Sequence, residues 1–385
     1  MSSLYARTAL LIANFVTGVV TIGLAGMLPA LARGLGVTIP EAGLIVTAGA
    51  VVLCVGAPFM VWWTSRLDRR LLLAGALAVV AIGSLASAAA PGYASLIALR
   101  VPTMAFAALI TPVAASTAAL IVPPERRDSA IVFVFLGFSL AVAAGLPAVT
   151  WLSAHLGWRA TFAVIGIASL AASVLLHHAL PRGVRGAPLS LGSWGALLRE
   201  RQVLVLLLLS VLQVSGQFAI FTYLAPLLTR LAGAGVGAIG AFFALFGIMG
   251  VSGNAIATRL VGGLGPFRTS VAALSSIALG FVLWSAGAGE LAIMGAGVAF
   301  WGLGFAAMNS MQQARLADAA PPLASAAVSL NTSAIYVGQA IGSALGGYLL
   351  ARDLPRGVGW AAVAFAVAAL AVLATTRERP EPLLP

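Results

Sequence analysis

Long apolar runs separated by short polar connectors recur from one end of the chain to the other. A helix needs about 20 apolar residues to cross the hydrocarbon core of a bilayer. Twelve runs come within a few residues of that length, at 8–31, 42–63, 71–90, 94–121, 130–153, 160–180, 203–228, 238–258, 269–287, 291–314, 325–350 and 358–375. The connectors hold breakers and charges, as in Pro91-Gly92, Pro123-Pro124-Glu125-Arg126-Arg127-Asp128 and Pro321-Pro322. The run after Arg7 is about 24 residues long, more than the roughly 7–15 of a secretory signal, so it reads as the first crossing. The pattern predicts an all-α membrane protein with 12 transmembrane helices.

The pattern also repeats. Shifted by 197 residues, the chain aligns Pro29 with Pro226, Gly36 with Gly233, Gly43 with Gly240, Gly56 with Gly253, Gly83 with Gly280, Gly92 with Gly289, Pro124 with Pro321 and Gly145 with Gly342. No gap is needed from residue 29 to residue 145, and the order of crossings repeats at the same offset. An even number of crossings per half makes both halves enter from the same side, related by an axis along the membrane normal. The expected organisation is a six-helix half over 1–181, a linker over 182–202 and a pseudo-symmetric six-helix half over 203–385, with a cleft between the halves. In the linker, Trp194, Leu197 and Leu198 beside Arg199 and Arg201 fit a short interfacial helix or a plain connector equally well.

Composition agrees with lipid as the solvent. The 385 residues are 61% hydrophobic and 8% charged, against about 25% charged in soluble domains. The net charge of +11 comes from arginine alone, as the chain has no lysine. The arginines sit a few at a time between apolar runs rather than on one basic face, which argues against nucleic acid and for topology signals. With both termini in the cytoplasm, fifteen arginines fall in inside connectors and five, Arg33, Arg159, Arg230, Arg352 and Arg356, in outside ones. That asymmetry predicts a multi-pass protein of the cytoplasmic (inner) membrane with both termini cytoplasmic. An all-arginine, Ala/Gly/Leu-rich chain also fits a high-GC bacterial genome. The lone cysteine, Cys54, has no disulfide or metal partner and reads as a small apolar residue.

The connector after the second run reads Thr64-Ser65-Arg66-Leu67-Asp68-Arg69-Arg70. It resembles the major facilitator loop signature G-x-L-a-D-R-x-G-R-R in Arg66, Arg69 and Arg70, and departs from it at Ser65 and Asp68. In that family the loop helps latch the outward-facing state through charge pairs to nearby helix ends. Here Ser65 replaces the usual acid, and Asp68 is the residue left to substitute for it. The fifth run carries Gly137, Ala141, Gly145 and Pro147, small residues that admit close packing and a proline that bends the helix. The string resembles the antiporter motif G-x-x-x-G-P with a variant spacing, Gly145-Leu146-Pro147. The segment Gly157-Trp158-Arg159-Ala160-Thr161-Phe162 is similar to the G-W-R-x-x-F junction of the drug/proton antiporter-1 branch and its sugar-efflux relatives. The eleventh run mirrors the fifth with Gly338, Gly342, Gly346 and Gly347, after Leu330-Asn331-Thr332-Ser333-Ala334-Ile335-Tyr336, which also looks like that branch. The resemblance covers nearly the whole chain. It implies the major facilitator fold and alternating access around a central cleft, and it names no substrate.

Arg100 falls about two turns into the fourth run, where a charge costs roughly 2.5–3.5 kcal/mol on insertion scales. The resemblance puts it at the position of an arginine associated with proton transfer; snorkelling to the headgroups is the plainer alternative. The acidic residues and the three histidines lie outside the runs or at their ends, and Thr21 stands where the branch often has an acid. Proton coupling is therefore implied by resemblance, while these residues argue against its commonest form. Arg100, Arg66, Asp68, Arg69, Arg70, Gly145 and Pro147 are the coupling and gating candidates.

Uncharged polar residues within the runs are the candidate solute contacts. Asn14, Thr17 and Thr21 share a face of the first run, and Thr103 and Thr111 share a face of the fourth with Arg100. Gln213, Gln217 and Tyr223 lie on the seventh, Trp301 and Asn309 on the tenth, and Thr332, Tyr336 and Gln339 on the eleventh. The resemblance makes runs 1, 4, 7 and 10 line the cavity. Interhelical hydrogen bonds, averaging about 0.6 kcal/mol, are the other use of such residues.

These groups suit a neutral or amphipathic solute, since a cation site would want a buried carboxylate. The expected function is a monomeric secondary transporter in the lipid bilayer that exports small drug-like or amphipathic molecules, coupled to protons as the resemblance implies. A sugar or metabolite efflux permease without coupling is the alternative. No cofactor, metal or nucleic-acid partner is expected. No cluster of metal ligands and no Ser–His pair lies at depth, which excludes an intramembrane enzyme. The glycine pattern kept in both halves speaks against a receptor that has lost transport.

Overall fold

Among the described residues, eleven helices in the computed structural model of this chain are long and apolar enough to cross a membrane, and one of them, Val236–Ala286, has 51 residues. At about 1.5 Å per residue it would run some 75 Å, far beyond a core of about 30 Å. It folds back at Gly265, whose φ of 75° and ψ of 166° lie outside the helical region. Glycine tolerates that conformation, and Pro266 opens the next helix without needing an N–H. The corner turns eleven long helices into twelve crossings. The structure describes residues 3–64, 67–123, 126–185, 195 and 197–376. Arg66, Ser65, Pro124 and Trp194 lie outside them.

The first crossing is Ser3–Ile22 with Leu24–Leu35, the second Ile39–Trp63, the third Arg69–Ala88 and the fourth Tyr93–Leu120. The fifth joins Arg127–Leu140 and Leu146–His155 through a π turn at Ala141–Gly145; the sixth is Gly157–Ala179. The seventh is Arg201–Phe221 with Leu224–Ala232, and the eighth and ninth are 236–264 and 266–286. Leu291–Ala319, Ala324–Ala351 and Pro355–Thr375 complete the bundle. An even count puts both chain ends at one end of it, called here the terminal end.

Three details depart from the hydropathy reading. The first and seventh runs, expected to be continuous, break at Gly23 and at Thr222-Tyr223. The eighth and tenth helices continue past 258 and 314, because a helix does not stop where lipid does and Arg259 and Arg315 ride on its projecting end. In the linker, Leu197 is fully buried against Val203, Leu206 and Leu316, whereas Leu198 is half exposed, so the two do not share one buried face.

Small residues set the helix spacing, since lipid supplies no hydrophobic drive between helices. In the first half, a Cβ on Gly137 would collide with the Leu11 carbonyl of the first crossing. In the second half, Gly342 meets the Ser215 carbonyl of the seventh crossing in the same way. The halves themselves meet closely away from the terminal end. Gly247 of the eighth crossing lies on the Ala143 backbone in the π turn of the fifth, and Tyr223 of the seventh rests on Gly43 of the second.

Candidate translocation site

Four candidate residues form one hydrogen-bonded chain across two helices. Gln213 Nε2 donates to Asn309 Oδ1 at 3.3 Å, Gln217 Nε2 to Gln213 Oε1 at 2.6 Å, and Trp301 Nε1 to Gln217 Oε1 at 3.0 Å. The spacing explains it: Gln213 and Gln217 stand one turn apart on the seventh crossing, facing the tenth. Gln217 and Trp301 line a cavity of about 20 Å³ between the halves, room for roughly one water. Its other walls are apolar: Ile22, Phe138 and Val142 from the first half, and Phe218, Phe221, Phe246 and Phe305 from the second. Phe246 and Trp301 pack with ring centres 4.7 Å apart, and Phe221 stands edge-on to Trp301 at 6.2 Å. The phenylalanines escaped the sequence reading. The available signal was position: Phe221 and Phe305 each follow a polar candidate, Gln217 and Trp301, by one turn.

Five other uncharged candidates, Asn14, Thr17, Thr21, Thr103 and Thr111, hydrogen-bond within their own half. Asn14 donates to the Val134 carbonyl at 2.9 Å and accepts from Thr111 at 2.6 Å. Thr17 and Thr21 donate to carbonyls of their own helix, at Ala13 and at Thr17 and Gly18. Thr103 donates to Leu99 and sits on Gly83 of the third crossing, a different side of its helix from Thr111. Tyr223 donates to the Ser343 carbonyl at 3.0 Å and wedges between Gly43 and Gly347, so it bridges the halves at the far end. Gln339 is buried and Tyr336 partly buried in the eleventh crossing. One crossing partner away, Ser333 donates to the Cys54 carbonyl at 3.1 Å and ties the eleventh crossing to the second.

Arg100 is 2% exposed and has no ion-pair partner among the described residues. Its Nη2 donates instead to the Val20 carbonyl at 2.8 Å. Val20 lies in the last turn of the helix that breaks at Gly23, where carbonyls lack intrahelical partners and the helix dipole is negative. A cation capping that end needs no carboxylate. The Phe162 ring lies 5.6 Å from the guanidinium and Trp158 packs edge-on to Phe162 at 6.1 Å. The Gly-Trp-Arg junction thus supports Arg100 through Phe162, while Arg159 holds the Ala90 carbonyl at 3.0 Å.

In the connector after the second crossing, Asp68 caps the third helix, accepting from the Arg70 amide at 2.8 Å. Its other oxygen accepts from the Gly183 amide at 2.6 Å, and the Arg69 amide donates to Val184 at 2.8 Å. Desolvation pushes this carboxyl up, but the amides of Gly183, Arg70 and Leu71 and the Arg185 charge outweigh it and hold it below the ordinary carboxylate value. Asp68 therefore bonds to the end of its own half. The Arg69 side chain is buried, with Nε and Nη1 unpaired. In the fifth crossing, the variant spacing Gly145-Leu146-Pro147 coincides with the π turn: the Leu146 amide reaches Ala141, five residues back. Single π turns absorb an extra residue without breaking a helix.

A family model described as Major Facilitator Superfamily matches residues 10–334. A bundle of two six-helix halves around a buried polar chain is a membrane transporter's architecture, and this chain belongs to that superfamily. It is 32% identical to Inner membrane transport protein YdhP of Escherichia coli O157:H7, over 98% of this chain and 97% of that one. It is 34% identical to a Chloramphenicol resistance protein of Streptomyces lividans, over 55% of each chain. The crystal structure of a D-xylose-proton symporter superposes with a TM-score of 0.79 at 15% identity, covering 97% of each chain, which carries the fold.

Proposed function

We propose that this transporter exports small, uncharged amphipathic molecules with an aromatic part, by rocking the halves 1–181 and 203–385 about the central cavity. The observation that carries the reading is the chain Asn309–Gln213–Gln217–Trp301, whose Gln217 and Trp301 line a cavity walled by phenylalanines from both halves. Amides offer donors and acceptors to a neutral solute, and the rings bury its apolar face. The similarity to a Chloramphenicol resistance protein supports the same class. Gly145 and Pro147 shape the π turn on which the far end closes, and the protein works as a monomer in the cytoplasmic membrane with both termini inside.

The resemblance implies that protons drive export. The site favours a second reading, uncoupled efflux of a sugar or metabolite, because no carboxylate or imidazole lines the cavity. Purified protein in proteoliposomes separates them. Chloramphenicol flux that is saturable and lost in Gln217→Ala supports the proposed solute class; flux indifferent to Gln217→Ala overturns it. An imposed pH gradient that changes the rate supports antiport, and an unchanged rate supports the uncoupled reading.

A further inference from the structure

A second pocket lies outside the translocation path, between the third and sixth crossings at the terminal end of the bundle. It is an open groove of about 370 Å³, in the range of about 300–1,000 Å³ that accepts small molecules. Leu71, Ala74, Gly75, Ala78 and Val174 form its walls, and His177 and His178 stand at its mouth. Leu71 and Val174 are well exposed, as lipid-facing residues are. Ser173 donates to the Ala74 carbonyl at 2.7 Å and fastens the two helices, so the groove is preformed.

The mouth is basic. Arg70 and Arg182 lie within electrostatic reach of His177, and the Arg70 Nε is buried without a hydrogen-bond partner. The nearby carboxylate, Asp68, is already taken by the amides of Arg70 and Gly183. An apolar trough with a cationic mouth, set in the bilayer at headgroup depth, matches an amphiphile with a negative head.

We propose that this groove is a binding site for an anionic phospholipid, with the phosphate at Arg70, Arg182, His177 and His178 and an acyl chain along Gly75 and Ala78. Basic pockets between transmembrane helices hold acidic headgroups for this reason. The floor can be blocked without strain, since a Cβ on Gly75 meets nothing within 4 Å.

The test uses the full chain in neutral detergent, with phosphatidylglycerol, phosphatidylcholine or sodium phosphate added and bound lipid counted by native mass spectrometry. Wild type is expected to retain phosphatidylglycerol over phosphatidylcholine. The double variant H178Q/R182Q should lose about five-fold in retention for the arginine charge it removes. Gly75→Phe should lose retention with every charge in place. If Gly75→Phe lowers the melting midpoint in detergent alone, Ala78→Phe blocks the same trough and replaces it. Equal retention of the two lipids, or retention unchanged in both kinds of variant, overturns the site. Displacement of phosphatidylglycerol by millimolar sodium phosphate overturns the lipid in favour of a free anion.

Discussion

Asn14 donates to the Val134 carbonyl, joining the first crossing to the fifth, and 197 residues later the position of Val134 is held by Asn331, which accepts from Ser210 at 2.6 Å. The same pair of crossings is tied at the same level in both halves, once through a backbone oxygen and once through a side chain. Thr111 completes the junction in the first half and Gln312, donating to Ser210 at 3.0 Å, in the second. Asn14→Leu leaves the Val134 carbonyl without this donor, which costs about 1–3 kcal/mol. The expected outcome is a lower melting midpoint with solute half-saturation unchanged. A weaker affinity at an unchanged midpoint would instead assign Asn14 to the solute.

Trp301→Phe keeps an aromatic ring, deletes the N–H that Gln217 accepts and leaves space at a fully buried position. One neutral hydrogen bond is worth about 1 kcal/mol, close to five-fold in affinity. Half-saturation for an amide-bearing aromatic solute should rise by about that factor in a flux assay, with some fall in the midpoint from the space left in the core.

Arg100→Met strips the Val20 carbonyl of its donor and the helix end of its cation. The loss is about 1–3 kcal/mol. Arg100→Lys keeps a cation beside the same dipole and should lose less. Melting midpoints ordered wild type, Lys, Met check this; equal midpoints for Lys and Met would show that charge at the helix end is immaterial.

Asp68→Asn tests the tie to Gly183 against pH. The folded carboxyl titrates below its ordinary value of 3.8, so its contribution is complete above that value and is lost as pH falls through the lower folded one. The gap in midpoint between wild type and variant should be constant from neutral pH down to about pH 5 and should close below the ordinary carboxylate range. A gap that widens on acidification contradicts the assignment.

Gly247→Leu cannot fit against Ala143 with the far end closed. Spin labels at Val37 and Val236, in the two halves near that end, should move apart in the variant, read by pulsed dipolar spectroscopy. An unchanged distance would mean that the fifth and eighth crossings part without opening the far end.

Length and hydropathy made the crossings legible, because lipid imposes a spacing that any apolar run must meet. They missed the breaks at Gly23 and Thr222-Tyr223, since an apolar run reads alike whether or not its backbone is continuous. The site was legible in part for a similar reason. Gln213, Gln217, Trp301 and Asn309 stand out as polar residues in apolar runs, and they do assemble. Asn14 and Thr103 stand out just as clearly, yet their partners lie 120 and 4 residues away within the same half, and composition is silent on direction. Of the phenylalanines that wall the cavity, only Phe221 and Phe305 carry a signal, one turn after Gln217 and Trp301; Phe138, Phe218 and Phe246 read like those that face lipid.

The corner at Gly265 leaves the eighth and ninth crossings no slack. A tether of one residue fixes where the two helices meet, so any displacement of that end of the eighth helix must carry the start of the ninth with it, while the glycine leaves the angle between them free to change.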